Sequence, residues 1–246
     1  MNEPTIKKLR QMRLDGMVAA WQEQQGDSGC AHLTFDDRFG MIVDAEFLHR
    51  DNARLARALK EARLKIPGAC VENIDYSVSR ALDRAVVRQL ATSHWAHDRQ
   101  SILICGATGT GKTYLACALA EKACRHGFRA IYSRASRLFE ELRLAHADGT
   151  YVKVLSRLSR MDVLVIDDFA ICPVTDAQRR DLLEILEDRY DARSTIITSQ
   201  LKPSHWHDYL ADPTLADAIC DRLLHHSHRL MLEGPSRRKE RLAENQ

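Results

Sequence analysis

No uncharged apolar stretch approaches the roughly 20 residues that a membrane-spanning helix needs, and the opening "MNEPTIKKLRQ" lacks the apolar core of a secretory signal. No pair of cysteines has C-x-x-C spacing, and the seven present (Cys30, Cys70, Cys105, Cys117, Cys124, Cys172 and Cys220) are odd in number. That argues against a disulfide framework and suits free thiols in a reducing cytosol, so a cytoplasmic protein with no membrane partner is expected. Excess charge is also missing. Lys and Arg number 36 against 34 Asp and Glu, a net +2, so any case for nucleic acid must come from local patches. There is no internal repeat, no low-complexity segment and no N-K-x-D guanine-reading motif, which argues against a GTPase. What remains is an ordinary globular composition, 45% hydrophobic over 246 residues, enough for one or two domains.

Two patterns divide the chain. Residues 4–25 and 35–66 read as helices. In the second, Leu48, Leu55, Leu59, Ala62 and Ile66 recur on one helical face while Arg50, Arg54 and Arg57 fall on the other. "IPG" at 66–68 should end it, since proline cannot continue a helix. A helical N-terminal domain over 1–68 is expected, then an ATPase-type domain over 69–234 and a basic polar tail over 235–246. Residues 76–95 read as a further helix. Beyond it, short apolar runs at 101–105, 128–133, 162–166, 194–198 and 228–232 alternate with helical stretches at 112–126, 135–147, 176–191 and 203–226, the last broken near Pro213. Short buried strands alternating with helices indicate an α/β fold with a parallel sheet covered on both faces.

"GATGTGKT" (106–113) matches G-x-x-x-x-G-K-[ST] at every position, after a strand pattern and before a helix pattern, the context that marks a P-loop. Its backbone from Gly106 through Ala107, Thr108, Gly109, Thr110 and Gly111 can wrap phosphate oxygens at a helix N-terminus. Lys112 would reach the β- and γ-phosphates and the Thr113 hydroxyl would ligate Mg²⁺, so ATP and Mg²⁺ are the expected cofactors. "VLVIDD" (163–168) ends an apolar strand in two acids. Asp167 fits the metal-holding carboxylate, with a helix cap or surface salt bridge as the plain reading. Asp168 stands where a water-orienting acid is expected, although aspartate is shorter than glutamate by about 1.5 Å. A capping role is its plain alternative. "IITSQL" (196–201) offers Thr198, Ser199 and Gln200 as polar groups near the γ-phosphate, with Gln200 next in line to place the water. A small-molecule kinase would add an acceptor pocket and an arginine-rich lid, for which the sequence gives no clear sign.

These motifs, together with "MRLDGMVAAW" (12–21), "DDRFGMIVDAEFLHRDNARL" (36–55), "ENIDY" (72–76), "ADGTYVKVLSRL" (147–158), "TIITSQ" (195–200) and "ADAICDRLLHHSHRL" (216–230), resemble AAA+ ATPases of the branch that holds DnaC-type helicase loaders and IstB-like transposition helpers, the latter more closely. The resemblance implies an AAA+ core with strand order 5-1-4-3-2 behind a helical N-terminal domain, and an ATPase stimulated by DNA or oligomerisation; the short arm of Asp168 points to slow hydrolysis. The resemblance also implies homo-oligomers with ATP at subunit interfaces, assembly on double-stranded DNA, and delivery or activation of a cognate transposase. A DnaC-like helicase loader is the rival within the branch. Arg222 matches the arginine finger that reaches a neighbour's nucleotide; the plain reading is a surface arginine pairing with Asp217 or Asp221 in its own helix. Arg237 matches a second phosphate-sensing arginine, although the usual C-terminal lid has no room after the last strand.

Candidate DNA contacts are the stripe Arg50, Arg54 and Arg57, and the 133–160 stretch with Arg134, Arg137, Arg143, Lys153, Arg157 and Arg160 set against Glu140, Glu141 and Asp148. Phosphate contacts by such groups would be salt-sensitive and indifferent to sequence, while a solvated helix face explains any single one of them. The histidines of "HWAH" and "HHSH" have no cysteine at zinc-ligand spacing, and helix-end roles are expected for them.

Overall fold

The computed structural model describes residues 3–76 and 81–236. One compact unit runs to Arg57 and a second begins at Ala58. The first is helical: α1 (Glu3–Gln11), α2 (Asp15–Gly26), a short 3-10 turn and the greater part of α3 (Phe35–Ala62). Thr34 starts α3, its hydroxyl accepting from the Asp37 amide at 3.2 Å. Within this unit α2 lies close on α3, since a side chain at Gly16 would meet His49 Cβ at 2.7 Å and the Ala45 carbonyl at 2.9 Å. Buried Glu46 joins them by accepting from the Met17 amide at 3.1 Å and from Arg50 Nε at 2.6 Å. On the apolar face read from the sequence, Leu48 is 59% exposed, whereas Ala62 is wholly buried. The helix stops at Ala62 rather than at 66, because Arg63 turns left-handed (φ 49°) and closes it before the proline is reached.

The second unit begins with the last residues of α3, Ala58–Ala62, followed by irregular chain with one 3-10 turn at Val71–Asn73. Of the single helix expected over 76–95, residues 77–80 lie outside the described residues, and the described part holds α4 (Arg84–Ala91) and α5 (His94–His97). Asp83 caps α4 by accepting from the Ala85 amide at 2.7 Å, and left-handed Ser93 (φ 61°) separates the two. Then follow β1 (Ser101–Gly106), α6 (Lys112–Arg125), β2 (Ala130–Arg134), α7 (Ala135–Asp148), α8 (Tyr151–Ser159), β3 (Val163–Phe169), α9 (Asp176–Arg189), β4 (Ser194–Ser199), α10 (Trp206–Leu210), α11 (Pro213–Leu224) and β5 (Ser227–Leu232). The break foreseen near Pro213 is present, with Asp212 capping α11 at 3.0 Å from the Leu215 amide. Helix α8 was not foreseen; it buries Leu155 and Leu158, one turn apart.

The five strands pair in parallel in the order β2-β3-β4-β1-β5, which is the expected 5-1-4-3-2 read from the other edge. The central strands β1 and β4, and β3 apart from its end, are buried on both faces, the reason their sequences read as unbroken apolar runs. Edge strand β5 alternates at its far end, exposing Arg229 and Met231 and burying Leu230 and Leu232. The strand starts are tied by Arg189, 2% exposed. It donates to the carbonyls of Leu158 at 2.6 Å and Met161 at 2.8 Å and to Thr195 Oγ1 at 3.2 Å. Burial among these neutral acceptors pushes its pKa down to about 9, still charged at neutral pH. No helix among the described residues is long and apolar enough to cross a membrane.

Candidate functional site

The strand ends gather the chemistry. β1 leads into the P-loop at Gly106, where a side chain would collide with the Leu232 carbonyl at the end of β5; at left-handed Gly109 (φ 87°) one would collide with Ser236. The backbone therefore runs where only glycine fits. Lys112 opens α6, is 6% exposed, and donates from Nζ to the carbonyls of Gly106 and Ala107, each at 2.8 Å. Thr110 Oγ1 donates to the same Ala107 carbonyl at 2.9 Å, tightening the loop. Beside it, Thr113 Oγ1 donates to Asp167 Oδ1 at 2.9 Å. P-loop hydroxyl and strand-end carboxylate thus meet across 54 residues of sequence.

Asp167 is fully buried and densely hydrogen-bonded. Thr198 Oγ1 donates to its Oδ1 at 2.6 Å, Tyr132 OH to its Oδ2 at 2.6 Å, and Lys65 Nζ lies 3.4 Å from Oδ2. Burial alone would raise its pKa, but the hydrogen bonds from Thr198, Tyr132 and Thr113 and the Lys65 charge outweigh burial and hold the carboxyl below its usual range. Tyr132, desolvated and facing that carboxylate, is held firmly protonated. An ionised buried carboxylate next to a threonine hydroxyl is a hard-oxygen donor set of the kind Mg²⁺ takes, and the glycine loop at a helix N-terminus suits a triphosphate, so these residues fit both groups.

Asp168 differs from its neighbour. A bulge between Ile166 and Phe169 puts it in the left-handed region (φ 61°), its amide donating to Thr198 Oγ1 at 2.9 Å. Its carboxylate lies 3.3 Å from Arg134 Nε and 4.0 Å from Lys65 Nζ. It faces a cavity of about 550 Å³ shared with Thr108, Lys112, Thr113 and Gln200. Ile66, Ile74 and Leu82 form an apolar part of the same wall. The wall segment is pinned to α6, with the Cys70 amide donating to Tyr114 OH at 3.3 Å and that hydroxyl donating to the Cys70 carbonyl at 3.2 Å.

Of the strand-end trio, only Gln200 reaches the cavity. Thr198 is engaged by both acids, and Ser199 Oγ donates to the Phe169 carbonyl at 2.9 Å. Arg222 pairs with neither Asp217 nor Asp221. It reaches Glu187 of α9 at 2.5 Å and lies 6.0 Å from the Tyr190 ring centre, because α9 packs against α11. It sits beside Ser101 and Thr195 at the strand starts, the end of the sheet opposite the P-loop. Arg237 lies outside the described residues. Among the arginines read as DNA contacts, Arg134 is the Asp168 partner at the end of β2. Arg157 pairs with Glu141 at 2.8 Å and Arg143 with Glu140 at 2.7 Å, while Arg137 borders the same groove as those glutamates. Lys153 is exposed on α8. Arg50 holds Glu46, Arg54 pairs with Asp51 at 2.6 Å, and exposed Arg57 donates to the Ala53 carbonyl at 3.2 Å.

Sequence reasoning missed Lys65, Tyr132 and the apolar wall. Lys65 acts on an acid 102 residues away, which no local pattern announces. Tyr132 was visible only as a residue one strand over, and "ENIDY" carried the wall without showing where it would fold.

Residues 7–245 match the family described as IstB-like ATP binding protein. The sequence is 42% identical over 236 residues to y4pL of Sinorhizobium fredii, which bears the name of an insertion sequence ATP-binding protein; 96% of each chain is covered. It is 43% identical over 204 residues to an ATP-binding protein so named from insertion sequence IS1162 of Pseudomonas fluorescens, covering 83% of this chain and 88% of that one. The fold is similar to the DnaC helicase loader, with TM-score 0.59, 23% identity and 67% and 97% of the two chains covered. It is similar also to the replication initiator DnaA bound to AMPPCP and single-stranded DNA, with TM-score 0.59, 23% identity and 72% and 55% covered.

Proposed function

The chain belongs to the IstB-like ATP-binding proteins, and on that premise we propose that it is an ATP-dependent, DNA-binding AAA+ regulator that oligomerises on DNA and delivers or activates an insertion-sequence transposase. The observation that carries the ATP-dependent part is the meeting of Thr113 with ionised Asp167 beside Lys112, at the mouth of a cavity large enough for a nucleotide. The names of the relatives, drawn from insertion sequences, support the transposase as partner. A match along nearly the whole chain leaves the small-molecule kinase without support. The likeness to DnaC speaks for the fold and not for a helicase partner.

In this reading the P-loop amides and Lys112 bind the β- and γ-phosphates, Lys112 giving up its own loop's carbonyls to do so. Ile66, Ile74 and Leu82 offer the base an apolar wall. Thr113 directly and Asp167 through a water would hold Mg²⁺, which would supply charge neutralisation at the phosphates. Asp168 orients the attacking water, with Gln200 across the cavity. Arg222, at the opposite end of the sheet from its own P-loop, is suited to a neighbour's nucleotide and not its own. That supports assembly as the ATP-dependent event. We assign the helices before residue 68 to engagement of DNA or transposase, and the basic residues there and on α7 and α8 to phosphate contacts.

The test is anisotropy of a labelled duplex titrated with the chain in ATP·Mg²⁺ or ADP·Mg²⁺, followed by co-sedimentation with a transposase of the insertion sequence that carries it. ATP-dependent, steeply salt-sensitive DNA binding that recruits the transposase is the expected result. No duplex affinity at low salt with ATP present would refute it.

A further inference from the structure

Lys65 helps keep Asp167 ionised but has no part in the proposed nucleotide chemistry. Its ammonium lies 3.4 Å from Asp167 Oδ2 and 4.0 Å from Asp168 Oδ2, and among the described residues no other lysine or arginine pairs with both acids. It stands on a short strap between two fixed points. Upstream, Glu61 in the last turn of α3 accepts from Arg129 Nη2 at 2.7 Å and from its Nε at 3.3 Å. Left-handed Arg63 then turns the chain, with Leu64 buried beyond it. Downstream, Ile66 and Gly68 line the nucleotide cavity, and Cys70 is pinned by Tyr114. In between, the backbone of Lys65 and Ile66 lies against the Cys117 thiol of α6. The strap therefore touches the acid pair, the cavity wall and the end of α3 at once.

The contacts of Asp167 are unequal. Thr198 and Tyr132 hold it through short bonds at 2.6 Å and are fixed by the strands that carry them. Lys65 is longer, 31% exposed in its side chain, and carried on irregular chain. It also brings the same sign of charge that a divalent cation would bring to the same carboxylate. Two cations drawing on one carboxylate oppose each other thermodynamically, whichever arrives first.

We infer that Lys65 is a positioning residue that competes with the divalent cation for the Asp167–Asp168 pair, so that binding of the metal–nucleotide frees Lys65 and loosens the strap at 63–68. This rests on the ATP·Mg²⁺ reading above. The strap would then turn occupancy of the cavity into a change at the end of α3, on the way to the N-terminal helices.

The experiment uses the full chain, with Lys65→Met to remove the charge while keeping the stem and Lys65→Arg to keep the charge. Mg²⁺ is titrated at fixed fluorescent N-methylanthraniloyl-ATP, and hydrogen exchange of a peptide covering 63–68 is followed with ATP and either Mg²⁺ or EDTA. Lys65→Met should lower the Mg²⁺ midpoint about fivefold, a partly exposed pair being worth up to about 1 kcal/mol; Lys65→Arg should stay near wild type. In wild type, Mg²⁺ should speed exchange over 63–68, and in Lys65→Met exchange should already be fast and insensitive to Mg²⁺. An unchanged or raised midpoint in Lys65→Met overturns the inference, as does exchange over 63–68 in wild type that ignores Mg²⁺. Weaker analogue binding by Lys65→Met at saturating Mg²⁺ also overturns it, since the lysine would then be a phosphate ligand. Absence of any Mg²⁺-dependent nucleotide binding in wild type would instead sink the ATP·Mg²⁺ reading itself.

Discussion

Thr198→Val is a demanding test of the acid pair, because the substitution keeps the shape of the side chain and removes one oxygen. That oxygen donates to Asp167 at 2.6 Å and accepts from the Asp168 amide at 2.9 Å, in a side chain with no exposed surface. A hydrogen bond to an ionised group contributes about 1.5–3 kcal/mol, and an orphaned buried amide costs about 1–3 kcal/mol. A loss of about 3 kcal/mol is therefore expected at neutral pH. For a unit of this size each kcal/mol moves the melting temperature about 2–4 °C, so a fall of about 9 °C should appear in a circular-dichroism melt. The pH dependence fixes the cause. Asp167 has a depressed folded pKa, so the stability it contributes is present above the unfolded value, about 3.9, and is lost as pH falls through the folded one. Removing the Thr198 donor raises that folded pKa. The acid limb of the variant should then lie at higher pH, and its deficit should shrink at the acid extreme, where the carboxyl is protonated in both states. Thr198→Ser should recover most of the loss. A fall below about 3 °C at pH 7 would show that the hydroxyl does not hold the pair together.

Lys112→Ala should leave the fold intact and weaken ATP binding about 10- to 100-fold, as expected for one lost charged phosphate contact; calorimetric affinity equal to wild type would take Lys112 out of the site. Asp168→Asn should retain ATP·Mg²⁺ binding and suppress phosphate release, whereas Asp168→Glu, with about 1.5 Å more reach, should match or exceed wild-type turnover. Wild-type turnover in Asp168→Asn would leave the acid as a partner of Arg134 or a cap and pass the water to Gln200. Arg222→Ala should bind ATP normally and hydrolyse it slowly, and mixing it with Lys112→Ala should restore some turnover if the arginine acts between subunits. Mixed oligomers that form without any rescue would count against that.

The P-loop was legible because its function fixes its spacing, eight residues in a row whose backbone must bend where only glycine can. Asp167 was legible because a buried parallel strand ends abruptly in charge. What was hidden was tertiary. Lys65 and Tyr132 reach Asp167 from 102 and 35 residues away, and no local periodicity encodes such a meeting. Arg134 looked like one of several basic residues on a solvated stretch, yet the parallel register sets it opposite Asp167 and thus beside Asp168. The length of Asp168 was the visible question, while its left-handed backbone, imposed by a bulge, was not visible at all. Where helix signals competed, local chain turns at Arg63 and Ser93 ended helices that the apolar pattern alone would have continued.

The collision that forbids a side chain at Gly106 also means that the last residue of β5 is seated directly on the phosphate loop. β5 begins five residues after Arg222 and is six residues long, a stiff span of roughly 20 Å at about 3.3 Å per residue. In the proposed assembly, one end of this strand would lie near the Arg222 surface offered to a neighbour, and the other bears on the subunit's own phosphate loop. In an oligomer each protomer would then carry a short load path from the joint it makes to the ATP it holds. A small shift of α11 at one joint would be felt at the next nucleotide along, and changes at Leu232, which borders the cavity itself, would disturb both ATP binding and cooperativity.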